Sequence, residues 1–150
     1  MIAGAALAAA LAAAAPAEGE PGRSCTARLE VAIDRDSFGG GLPEPGPGAA
    51  ELDALRRAAG ERFRRAADAL CARGGIDPAA MKRFGRLLVQ NGEGADATAV
   101  YTDERFGPHT LVFQYAFAAA RLGLPDQADV EEGLRCWHRP GAGGCDDRLP

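Results

Sequence analysis

The chain has 150 residues, a formal net charge of −4 and four cysteines. That length suits one ordinary domain and leaves no room for two. A charge so close to balance points to no single-signed partner and leaves no nucleic-acid footprint. Sixteen of the 17 basic residues are arginine, in a chain rich in alanine and glycine, so the bias follows composition more than chemistry.

Met1 to Ala17 carry no charge and set Leu7 and Leu11 in alanine before closing on Ala15-Pro16-Ala17, with the polar Glu18-Gly19-Glu20 next. This is the pattern of a secretory signal cut after Ala17. The run falls short of the roughly 20 residues that span a bilayer and is mostly alanine, so cleavage is expected over anchoring. Residues 18–150 are then expected to form one exported domain, periplasmic or secreted, with no transmembrane segment once the signal is gone. In that compartment the four cysteines read as two disulfides.

Cys25 to Asp34 alternate apolar and polar residues, which predicts a strand. Residues 39–48 are glycine and proline without periodicity, and predict a connecting loop. From Ala49 to Arg73, Leu52, Leu55, Ala59, Phe63, Ala66 and Leu70 recur at spacings of three and four, which predicts a long helix closed by Gly74-Gly75. Its polar side offers Asp53 with Arg57 and Glu61 with Arg65 at the favourable i,i+4 spacing. Asp77-Pro78 predicts a short helical turn. Phe84 to Gln90 could continue that helix through Met81, Phe84 and Leu88, but Gly85 and the Asn-Gly signal favour a strand ending at the turn residues Asn91-Gly92-Glu93-Gly94, with Ala97 to Thr102 as its hairpin partner. Thr110 to Phe117 is apolar almost throughout; its aromatic and β-branched content favours a third strand, and a helix running to Leu122 is the alternative. Asp126 is expected to cap a last helix that buries Val130, Leu134 and Trp137. The predicted fold is α+β: a strand, a long helix, a three-strand antiparallel meander and a short C-terminal helix.

If the long helix returns antiparallel across the first strand, Cys25 and Cys71 meet at one end of the domain. Cys136 and Cys145 are left to pair across a flexible segment. A zinc site from Cys136, His138 and Cys145 with His109 or Cys71 is the rival, disfavoured by export and by the lack of a Cys-x-x-Cys spacing. Neither cofactor nor metal is expected. Ser24 and Ser37, the two serines, lie outside any Gly-x-Ser-x-Gly turn. Asp103, Glu104 and His109 fall in a predicted loop, where acids and a histidine suit solvent as well as a site.

Charge is concentrated between Arg56 and Arg86, where nine basic residues face three acidic ones. A surface of this kind could meet an anionic partner, and Arg57, Arg64, Arg65, Lys82 and Arg83 are its candidate binding residues. Ion pairing along a solvated helix face would explain many of the same charges. The segment Arg65 to Ala79, with its Gly75-Ile76-Asp77-Pro78 exit, resembles the helix exit of outer-membrane-protein-A-like, peptidoglycan-binding domains over about a tenth of the chain. That resemblance implies a peptidoglycan-associated binding module in which Arg64 or Arg65 holds a wall-peptide carboxylate. The acidic loop and the Gly-x-Gly-Glu strand ending of that family are replaced here. The expected function is non-enzymatic binding of an envelope protein or an anionic wall polymer, with a small exported hydrolase as the alternative.

Overall fold

The computed structural model describes residues 24–39 and 46–148. The predicted signal and most of the predicted Gly/Pro loop lie outside the described residues. The chain forms strand β1 (Glu30–Ile33), helix α1 (Ala49–Arg73), helix α2 (Pro78–Lys82), strands β2 (Arg86–Asn91), β3 (Ala99–Tyr101) and β4 (Thr110–Tyr115), and helix α3 (Gln127–His138). The class is α+β as expected.

The sheet order is β1-β2-β4-β3, with β1, β2 and β4 parallel and only β3 antiparallel to β4. This corrects the expected antiparallel meander: the chain does turn after Asn91, where the Ala95 amide donates to Gly92 O, and β3 runs opposite to β2, but β4 lies between the two and takes the pairing. Asn91, the last residue of β2, is buried; its side chain donates to the Ser37 carbonyl at 3.2 Å and accepts from the Ala118 amide at 2.9 Å. The Gly92 amide then prolongs the β2–β4 ladder by donating to Tyr115 O. With β2 held in parallel to β4, residues 99–101 pair on the far side of β4.

The first strand is also shorter than its alternation predicts. Residues 25–28 form a turn gathered by one carboxylate of α1: Asp68 accepts from the Ser24 and Thr26 hydroxyls and from the Cys25 amide, all at 3.0–3.1 Å. Cys25, Thr26 and Leu29 are buried all the same, so apolar alternation here marks burial in a turn. Both expected disulfides form, Cys25 with Cys71 and Cys136 with Cys145, and no cysteine is free. Two disulfides suit an oxidising compartment. No helix among the described residues is long and apolar enough to cross a membrane.

Helix α1 has the predicted boundaries, and Gly74 closes it at φ 75°, a left-handed conformation open to glycine at little cost. Its stripe packs on Val31, Ile33, Leu87, Val89, Leu111 and Phe113, the residues of one sheet face. The Phe63 ring lies 5.4 Å from that of Phe113, which meets Phe117 edge-on at 5.7 Å. After β4 the chain makes a turn in which Arg121 and Leu122 have positive φ, so the alternative helix through Leu122 does not form. Asp126 stands at the N-cap of α3 without a side-chain capping bond, while Val130 and Leu134 are buried and Trp137 is half-buried against Phe84.

Acids fasten α3 to the rest of the molecule. Glu131 accepts from Arg73 of α1 at 2.6 Å and from Gln127 at 3.1 Å. Asp129 accepts from the Thr98 amide and hydroxyl and from Arg148. Burial pushes both carboxyls up, but these hydrogen bonds outweigh it and both titrate below the ordinary range. A depressed folded-state pKa adds stability that is present above the unfolded value and lost as pH falls through the folded one. The urea midpoint is therefore expected to stay flat from neutrality down to pH about 5 and to fall below pH about 4. The Glu131→Gln, Asp129→Asn double variant should show a shallower fall.

Candidate functional site

The edge of the molecule where β2 and β4 begin carries two adjoining hollows. The first, of about 260 Å³, is lined by Ser24, Cys25, Ala27, Arg28, Lys82 and Phe84. The second, of about 480 Å³, is lined by Arg83, Phe84, Thr102, Asp103, Glu104, Gly107, Pro108 and His109. Phe84 is buried and forms the shared wall, braced by Trp137 at 5.6 Å, with the Arg83 guanidinium 4.9 Å above its ring. Parallel pairing sets this end: the His109 carbonyl accepts from the amides of Gly85 and Arg86, which draws the loop before β4 onto the loop before β2.

The first hollow has cations and no acid in its lining. Arg28 and Lys82 are exposed and have no ion-pair partner among the described residues. The disulfide-anchored turn brings Arg28 here, 54 positions from Lys82 in sequence. The second hollow is mixed. Asp103 is held by Arg105, whose hydrogen bonds keep its carboxyl below the usual range, and His109 Nδ1 bonds the Arg83 carbonyl at 3.1 Å.

The five residues singled out from the sequence do not form one surface. Lys82 and Arg83 border the hollows. Arg57 pairs with Asp53, the expected i,i+4 pair, and Asp53 is also taken by Arg56, whose hydrogen bond is the main reason its carboxyl titrates low. Arg64 donates to the Leu29 carbonyl at 2.5 Å. Arg65 is exposed, and the expected Glu61–Arg65 pair is absent among the described residues. Arg64 is thus engaged with backbone, away from the role that the outer-membrane-protein-A-like resemblance implies for it. Arg28, missed from sequence, had a signal only in its nearness to Cys25, which a disulfide ties to the end of α1.

Asp103, Glu104 and His109 do come together, but Glu104 and His109 are exposed and Asp103 is committed to Arg105. No serine or free thiol lines this hollow beside His109. Glu132 approaches Cys136 and Cys145 closely enough for a metal, but the disulfide leaves no thiolate to bind one. The zinc set considered from sequence loses its sulfur ligands in the same way. This end of the molecule sets Arg28, Lys82 and Arg83 beside the apolar wall of Phe84. Compared with known proteins, the chain matches no family model, no curated protein and no solved structure.

Proposed function

We propose that the protein is a non-enzymatic domain of the cell envelope that binds an anionic envelope component at the end where β2 and β4 begin. The observation that carries this reading is the hollow lined by Arg28 and Lys82 without an acid, next to the exposed Arg83. Cations with no ion-pair partner among the described residues attract anions over a Debye length and hold them by short contacts. Two disulfides fit the same compartment.

The test is capture of envelope components by the immobilised protein at low and high ionic strength. Capture should fall steeply with salt. Arg28→Ala, Lys82→Ala, Arg83→Ala together should weaken it roughly tenfold, as the loss of three exposed ionic contacts predicts. Arg57→Ala with Arg65→Ala should leave it within about twofold of the parent, on the same scale. Salt-insensitive capture would end the electrostatic reading.

A further inference from the structure

Two arginines of α1, Arg56 and Arg64, hold backbone carbonyls in and just before β1, and their placement serves the sheet edge. Among the described residues β1 pairs only with β2. The Glu30 and Asp34 amides donate to Gly85 O and Val89 O. In a parallel ladder, alternate residues face the partner strand, so Glu30, Ala32 and Asp34 serve β2. The amides of Val31 and Ile33 and the carbonyls of Leu29 and Val31 then point outward along an edge that no other strand among the described residues covers.

Such an edge is a template for a second strand. Its simplest occupant is the same edge of a second copy, placed antiparallel about a two-fold axis through Val31. In that arrangement Val31 faces Val31 and exchanges two hydrogen bonds. Leu29 faces Ile33 on either side, and the Ile33 amides donate to Leu29 carbonyls. The Leu29 amide is already bonded to Thr26 O, so four bonds are available and they need two carbonyls from each copy. These are the carbonyls the arginines take: Arg56 Nη1 donates to Val31 O at 3.2 Å and Arg64 Nη2 to Leu29 O at 2.5 Å. Asp53 holds the Arg56 guanidinium through Nε at 3.0 Å and Nη2 at 2.9 Å, which fixes the first guard in place. A hollow of about 320 Å³ lined by Glu30, Val31, Arg56, Arg57, Glu61 and Arg64 marks the path the second strand would follow.

We infer that Arg56 and Arg64 are a paired guard that closes the β1 edge against strand addition by a second copy of this chain. The guard works by occupancy: each guanidinium uses an acceptor that the incoming strand requires and fills the space in front of it.

The experiment compares parent, Arg56→Ala/Arg64→Ala, Arg64→Ala and Arg65→Ala by light scattering and by amide hydrogen exchange at hundreds of micromolar. The parent should show no edge-to-edge association, with fast exchange at Val31 and Ile33. The Arg56/Arg64 variant should dimerise reversibly and gain at least tenfold protection at those two amides. Arg65→Ala, which removes one charge from the same helix as Arg64→Ala does, should behave as the parent. If the Arg56/Arg64 variant folds poorly, the single variants Arg56→Ala and Arg64→Ala are read the same way and should each show partial association. Three results would overturn the inference: Arg56/Arg64 variants that leave the two amides unprotected, equal dimerisation of Arg64→Ala and Arg65→Ala, or a parent that already protects Val31 and Ile33.

Discussion

Replacing Cys25 and Cys71 together with alanine should cost about 4 kcal/mol, the largest loss expected from opening either disulfide. The bond joins residues 46 apart, and its Cα atoms stand 6.6 Å from one another. In the chain-entropy model a closed loop of that length removes about 4 kcal/mol of unfolded-state freedom, against about 2.7 kcal/mol for the nine-residue separation of Cys136 and Cys145. Cys25 is buried at the edge of the core and its turn is also held by Asp68, so the folded state keeps its shape without the bond. The double variant should therefore fold, with the urea midpoint lowered and the m-value raised, because the unfolded chain without the cross-link is less compact and exposes more surface. Equal losses from the two disulfides would show that the long loop is already restrained in the unfolded chain.

Phe63→Ala should cost about 3–5 kcal/mol. Phe63 has no exposed surface, and its ring touches Phe113 from the middle of α1, where helix and sheet are closest to the centre of the core. Truncation leaves a cavity between two rigid elements, since α1 is tied to β1 by Arg56 and Arg64 and to α3 by Arg73. Against a total of about 5–15 kcal/mol this is a large fraction, and the melting temperature should drop by roughly 10–20 °C. A drop of only a few degrees would mean that the sheet and helix collapse into the gap.

The legible part of this fold was written in local pattern. The three-and-four spacing from Leu52 to Leu70 places α1 to the residue, and Asp77-Pro78, whose carboxylate accepts from the Ala79 amide, starts α2. The cysteine pairing follows from one strand and one helix lying antiparallel, and survives although residues 25–28 turn. What local pattern misses is which elements and side chains meet. Asn91-Gly92 leads into the expected turn and β3 runs back, yet the hairpin does not pair, because β4 lies between β2 and β3. The arginines divide by their contacts in the same way. Arg57 and Arg64 are engaged with Asp53 and Leu29, while Lys82 and Arg83 face the hollows, and no periodicity distinguishes the two pairs. Arg28 joins them through a contact that is remote in sequence.

The functional reading rests on one end of the molecule, and amide chemical-shift mapping during titration with polyglutamate at low ionic strength tests it most directly. Shifts are expected to cluster at residues 24–28, 82–86 and 107–109, to vanish as salt is raised, and to be lost in the Arg28→Ala, Lys82→Ala, Arg83→Ala variant. Shifts that instead follow Arg57, Arg64 and Arg65 along α1, or that persist in the triple variant, would contradict the account.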